Sequence, residues 1–323
     1  MAEWLVEEGI GESRAICLQH GEIVAARLDW PGALVAGHVE DAKLVTRSKG
    51  ARRGTALFAS GEEALVDRLP DDASEGALLR LEVVRSSLAE KGRLKRAQAR
   101  PTSAPLCHMP SLAERLIAEG EQVRIVRRFP ASCDWEGLWQ EARSGEVVFA
   151  GGSLIIAPTP AMTLIDVDGP SSELATRAIP AIAGAIARFD IGGSIGLDFP
   201  TIQDKSERRA IDQALAEALT DIPHERTAMN GFGFVQIVCR LSRPSLLQRL
   251  QSAPASAAAR LLLRHAERVE EPGTILMRCK PAVADRIRPE WIEELRRRTG
   301  RSLLIERDAA LALDGGFAQA VTP

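Results

Sequence analysis

Two short segments place acids at spacings that suit metal chemistry. Leu164-Ile165-Asp166-Val167-Asp168-Gly169 ends an apolar run with carboxylates at i and i+2, and residues two apart on a strand face the same side of the sheet. Ser194-Ile195-Gly196-Leu197-Asp198-Phe199 is a second strand-like run that ends in Asp. If the two strands are neighbours, Asp166, Asp168 and Asp198 surround one point and repel one another unless a cation joins them. Oxygen-rich ligands suit Mg²⁺, with Mn²⁺ as the alternative. Such an ion activates water and neutralises charge on a phosphodiester, which makes the three aspartates candidate catalytic residues. The structural alternative is that they cap the turns that follow the strands.

Basic residues form the complementary set. The run 91–105 holds Lys91, Arg93, Lys95 and Arg96 and ends in a Pro/Ser-rich stretch. On one strip these four side chains would supply the salt-dependent phosphate contacts of a nucleic-acid binder; a solvated helix face or a tether is the alternative. Arg240 and Arg243 follow a strand and are candidate phosphate clamps, against a surface ion pair. Lys205, Arg208 and Arg209 open a helix near Asp198 and read mainly as solvated helix charge. His224 and Asn230 lie near the Phe232 loop, but a metal-activated water needs no His base. Single-strand binders stack bases on rings, and Phe58, alone in its β-rich segment, reads as core.

The elements that must position these residues follow from periodicity. Residues 3–28 read as a strand meander with turns at Gly9–Gly11 and His20-Gly21. Ala33–Val39, Gly54–Ala59, Ala64–Val66 and Leu78–Val84 are strands whose spacing suits a small barrel of the OB type, with Arg47–Arg53 in a loop. Leu112, Leu116 and Ile117 have helical spacing, Val123–Val126 reads as a strand, and Trp135, Leu138 and Trp139 mark a core helix face. Beyond 147 strands alternate with helices. A helix is expected to open near Pro180, where a missing N–H is harmless, and Asp204 with Glu207 has capping-box spacing. Thr274–Arg278, Pro289–Arg298 and Ser302–Glu306 read as strand, helix and strand. No internal repeat is visible.

Composition bounds the answer. The chain has 323 residues, 45% hydrophobic and 26% charged, with a net charge of −3, a prior of about two domains. No apolar run approaches the ~20 residues of a membrane span, and the acidic start MAEWLVEEGIGES does not read as a secretory signal. Five widely spaced cysteines with no CxxC pair argue against a disulfide framework or a zinc knot; Cys107-His108 reads as a loop thiol beside a surface His. The expected compartment is the cytoplasm.

On these residues the chain resembles the ribonuclease E/G family of bacterial endoribonucleases. Residues 10–15, Ile-Gly-Glu-Ser-Arg-Ala, resemble the family's opening. Leu164–Gly169 resembles its Ala-Ile-Asp-Val-Asn-Ser-Gly motif, and Gly192–Phe199 its Gly-Gly-Ile-Asp-Phe stretch. Gly231-Phe232-Gly233 and Arg243-Pro244-Ser245-Leu246 correspond to its Arg-Phe-Gly and Arg-Pro-Ser-Leu segments. The resemblance implies an α/β and β multi-domain fold. An RNase H-like unit (1–31 plus 90–150) is split by an S1/OB-like RNA-binding barrel (32–89), and a DNase I-like catalytic domain (151–323) follows. It implies hydrolysis of single-stranded RNA in RNA processing or decay, with Asp166 and Asp198 as ligands of the catalytic Mg²⁺. The asparagine that orients the scissile phosphate falls on Asp168. Departures are Asp168 itself, Thr201 for an acid, Gly231 for Arg and Gln236 for Glu, and residues 106–150 are shorter than the family's equivalent. The 5′-monophosphate sensor elements and the zinc-binding Cys-Pro-x-Cys are missing, so no zinc and no zinc-linked tetramer are expected; a homodimer stays open, and no membrane partner is implied. A homologue that binds RNA without cutting it is the rival reading.

Overall fold

The structure, a computed structural model, describes residues 3–90, 92–170 and 173–322. It is a mixed α/β chain with a closed five-stranded barrel. The chain opens with an antiparallel meander, β1 (Glu3–Gly9), β2 (Glu12–Gln19) and β3 (Glu22–Asp29). Both faces of this sheet are buried. Leu5, Ile16, Ala26 and Leu28 join the main core, while Trp4, Val6, Ala15 and Cys17 meet a helix on the other side.

The barrel comprises β4 (Val39–Arg47), β5 (Arg53–Leu57), β6 (Glu63–Asp67), β7 (Leu78–Arg85) and β10 (Ala97–Pro101). Its order is β10-β6-β5-β4-β7, closed by β7 on β10, with only β10 and β6 parallel. The closed five-stranded form is consistent with an OB-type barrel, and Phe58, 2% exposed, sits in its core. Two sequence expectations shift here. Residues 33–38 form turns, so the first barrel strand starts at Val39. The boundary at 89 stops short of the fifth strand, because the basic run is neither helix nor tether: it forms the hairpin β8 (Leu88–Glu90) and β9 (Arg93–Lys95) and then β10. Ala97 and Ala99 fill the barrel interior while Arg100 points out to Glu82.

The chain then returns to the first sheet. Helix α1 (Leu112–Ala118) covers it, and β11 (Val123–Val126) pairs parallel to β1. Ile117, expected on the apolar face, is 60% exposed. Helix α2 (Trp135–Ser144) buries Trp135, Leu138 and Trp139. A six-stranded sheet follows, built from β12 (Glu146–Phe149), β13 (Gly152–Pro158), β14 (Thr163–Asp168), β15 (Gly193–Asp198), β16 (His224–Arg226) and β17 (Phe234–Cys239) in the order β12-β13-β14-β15-β17-β16. A division at 150 would therefore sever β12 from its sheet. Helices α3 (Leu174–Arg188) and α4 (Lys205–Ala218) cover one face. Pro180 lies inside α3, not at its start. The ring is exposed, where the Thr176 carbonyl left without its donor can turn to water.

Helices α5 (Leu246–Ser252) and α6 (Pro254–Glu267) lead to a second small sheet, β18 (Thr274–Cys279), β19 (Leu303–Arg307) and β20 (Phe317–Val321), with α7 (Pro281–Ala284) and α8 (Pro289–Thr299). This region has its own core. The half from 151 onward therefore has two sheets and two cores. No helix among the described residues is long and apolar enough to cross a membrane.

Distant segments are riveted by arginines. Buried Glu7 accepts from Arg14 at 2.9 Å, Arg264 at 3.4 Å and the Phe129 N–H at 3.1 Å. Asp29 accepts from Arg115 and Arg249. The Arg260 guanidinium lies 4.1 Å from the Trp30 ring and 4.6 Å from that of Trp291.

Candidate active site

The six-stranded sheet alternates with period two, so one face is apolar and covered. Leu154, Ile156, Ile165, Val167, Ile195, Leu197, Val235 and Ile237 are buried against the helices. The opposite face is open and carries the acids. Strands β14 and β15 are parallel neighbours in a register that sets Asp166 directly beside Asp198, at the ~4.8 Å spacing of adjacent strands. Asp168 lies two residues further along β14, about 6.6 Å on the same face. All three are exposed. Partial burial, then repulsion by Asp198 and Asp168, pushes the Asp166 carboxyl above the ordinary aspartate range against the pull of the Val167 N–H. Among the described residues no group of three His, Cys, Asp or Glu side chains is arranged to hold a metal ion. The arrangement suits a hard divalent ion held by the Asp166–Asp198 pair that keeps several waters, the usual habit of Mg²⁺.

Two helices start just past the acids. β14 leads into α3 and β15 into α4, so both positive helix ends lie at the acidic edge. Asp204 caps α4 by accepting from Ser206 and Glu207 N–H groups, both at 2.8 Å. Arg208 folds back onto the Ile202 and Gln203 carbonyls. Lys205 and Arg209 are exposed and form no ion pair among the described residues, which leaves two cations free near the acids.

The loop before β17 brings an aromatic ring to the same edge. Asn230 Oδ1 accepts from the N–H groups of Phe232 at 2.9 Å and Phe234 at 3.0 Å, and Phe232 is left 80% exposed. Gly233 makes the turn at φ +85°, where a Cβ would lie 2.6 Å from the Phe199 carbonyl oxygen. Beside Asp198, the Phe234 ring lies over Gly196, whose Cβ would stand 2.7 Å from it. In sequence Phe232 stands out only as a loop landmark and as the centre of Gly231-Phe232-Gly233, with no binding role. Its signal was the Asn-Gly-Phe-Gly string, a turn composition that gives an aromatic no core to enter.

The basic run at 93–96, Arg240 and Arg243 do not meet the acids. β17 runs antiparallel to β15, so Asp198 faces Phe234 whereas Gly193 faces Cys239. Arg240 thus follows the far end of the sheet, about 17 Å from the acidic edge by strand rise. Arg243 lies beyond it, bound by Asp190 at 2.6 Å and Glu119 at 2.9 Å. Although burial opposes its charge, these two carboxylates hold it more firmly protonated than an ordinary arginine. Arg243 is therefore an internal ion-pair member and not a free clamp. His224 pairs with Cys239 at the same far end, and its Nδ1 lies 2.6 Å from the Ile222 carbonyl, so it cannot serve the acids as a base. Lys91 lies outside the described residues. Arg93 and Lys95 reach Glu90 at 2.5 and 3.9 Å, and Arg96 reaches Glu63 at 3.1 Å. The barrel docks by the Ser86 N–H on the Ser242 carbonyl, again at the far end. There a cleft of about 1260 Å³ separates it from the sheet, lined in part by Arg27, Arg115, His108 and Arg240.

No family model and no curated protein matches the chain.

Proposed function

We propose that the protein is a metal-dependent endoribonuclease of the ribonuclease E/G type that hydrolyses single-stranded RNA. The observation that carries this reading is the in-register pair Asp166–Asp198 at the carboxyl ends of two parallel strands, with Asp166 pushed toward its protonated form by partial burial and then by Asp198 and Asp168. In this reading the sheet that opens the chain is the RNase H-like unit and the six-stranded sheet the DNase I-like catalytic unit. The OB-type barrel binds single strands, and the reaction belongs to the cytoplasm.

Asp166 and Asp198 would hold Mg²⁺, or Mn²⁺ in its place, which would supply Lewis acidity to activate water and offset charge on phosphorus. Asp168 would orient the attacking water or the scissile phosphate from the adjoining position. Lys205 and Arg209, with the amino ends of α3 and α4, attract the neighbouring phosphates. Phe232 stacks on an unpaired base and fixes the strand beside the acids. Arg93, Lys95, Arg96 and Arg240 contact backbone remote from the bond that breaks, since they lie at the barrel end of the sheet.

The second reading, an RNA-binding homologue without catalysis, is favoured by one observation: the three aspartates do not form a preformed three-ligand group. One experiment separates the two. Labelled single-stranded RNA is incubated with the protein in Mg²⁺ or in EDTA, alongside an Asp166→Asn/Asp198→Asn variant. Mg²⁺-dependent cleavage that the variant lacks is expected. Equal behaviour of the two proteins sinks the enzyme reading, and binding without cleavage installs the rival.

A further inference from the structure

A second charged feature lies away from the acids and plays no part in the reading above. Where the first sheet, β11, α6 and α8 meet, a cleft of about 650 Å³ is lined by six arginines against four glutamates. The arginines are Arg127, Arg128, Arg264, Arg268, Arg298 and Arg301.

Most of these charges are occupied. Arg128 bonds Glu270 and the Glu267 carbonyl, Arg298 bonds Glu267, Arg264 reaches Glu7 and Glu136, and Arg268 reaches Glu136 at 3.5 Å and Glu7 at 3.8 Å. Two are left over. Arg127 is exposed and forms no ion pair among the described residues. Among the described residues Arg301 has no carboxylate partner: its Nε and Nη1 donate to the carbonyls of Gly273 and Val269, and its buried Nη2 has no acceptor there. The Nε of Arg268 is also buried without an acceptor. Buried donors without partners are costly, and planar guanidinium forks match tetrahedral oxyanions. The lining offers Ile125, Val126 and Val269 as its apolar side chains and no aromatic ring on which a nucleobase could stack.

We propose that this cleft binds a multiply charged phosphate group, read by Arg127, Arg268 and Arg301 through its oxygens and not through a base. Free pyrophosphate and the phosphates of an RNA strand share that chemistry. The site is independent of the nuclease reading, because its lining shares no residue with the acidic edge and it needs no metal.

The test is a calorimetric titration of the full chain with pyrophosphate, without divalent ions and at fixed ionic strength. Saturable binding is expected, about tenfold weaker in Arg127→Ala and lost in Arg127→Glu. Arg127 is exposed and unpaired, so neither variant threatens the fold, and circular dichroism checks this. A short single-stranded RNA is then added with pyrophosphate present. Competition assigns the site to RNA phosphates; unimpeded pyrophosphate binding assigns it to a free anion. Absence of saturable pyrophosphate binding by the unaltered chain overturns the proposal, as does an Arg127→Glu variant that binds like it. A chain that cuts no RNA yet binds pyrophosphate would refute the nuclease and leave this site standing.

Discussion

Two clusters of charge in this molecule obey opposite rules. Around Glu7, which is 4% exposed, the charges are buried and paired: Arg14, Arg264 and the Phe129 N–H converge on one carboxylate, and Glu12 takes the other side of Arg14. At the edge of the six-stranded sheet three carboxylates stand together on an open face with no cation side chain among the described residues bridging them. Burial raises the Glu7 carboxyl, yet Arg14 and Arg264 overcome it and leave it below the ordinary range. Burial and like charge leave Asp166 above its own. The first cluster joins the first sheet to α6 and holds the architecture. The second gives the fold nothing in return for its repulsion, and a group kept at such a cost points to chemistry.

The largest expected effect falls on activity at the open cluster. Asp166→Asn or Asp198→Asn should lower Mg²⁺-dependent RNA cleavage at least about a thousandfold, which corresponds to ~4 kcal/mol of the several that an ion contributes, while the melting temperature does not fall. A variant that cuts normally breaks the contrast. Next comes the paired cluster: Glu7→Gln leaves buried Arg14 and Arg264 without their counter-charge and should cost about 3–5 kcal/mol in urea unfolding. Because the folded carboxyl of Glu7 lies below its unfolded value, the stability it confers is present above about pH 4.3. That stability is lost as the pH falls through the lowered folded value, and an acid titration of Glu7→Gln should show a weaker loss there. Phe232→Ala should weaken RNA binding by about 1–3 kcal/mol with an unchanged salt slope, and Phe232→Trp should restore it; a change in slope would mean that the ring acts through charge. The smallest effect is the sign test. The folded Asp166 carboxyl lies above its unfolded value, so its stability contribution is best at low pH and is lost as the pH rises through the folded value. Asp166→Asn should therefore stabilise the chain at neutral pH, by a few tenths of a kcal/mol once solvent screening is counted, as read by thermal unfolding.

How much of this could be read from the residues depended on whether side chains announced their surroundings. The i, i+2 acids at the end of an apolar strand placed Asp166 and Asp168 on one face, and the matching run before Asp198 suggested its neighbour. The barrel was visible in its strand spacing up to Val84, but its last strand was hidden. Ala97 and Ala99 are the buried positions of β10, and two alanines between long cations give almost no alternation of hydropathy. Pro180 misled because a helix start is the usual home of proline; here the residues before it continue the helix and the ring faces water. Arg240 and Arg243 look like phosphate clamps in sequence because both follow a strand. Strand direction decides which end they reach, and an antiparallel partner sends them to the wrong one. Direction is a property of pairing between distant segments and leaves no trace in local sequence.

The stacked trio of Trp30, Arg260 and Trp291 sets a timetable for the molecule's birth. Its members are scattered along the chain, and the first sheet is finished only when Arg249, Arg260 and Arg264 reach Asp29, Trp30 and Glu7. At ordinary rates of synthesis, the interval between residues 30 and 291 is about 13–50 s. The barrel needs only residues 39–101 and can close while the ribosome is still working. The strands that emerge first must therefore wait, with the Glu7–Arg14 pair at their centre still open on one side, for the helices made last.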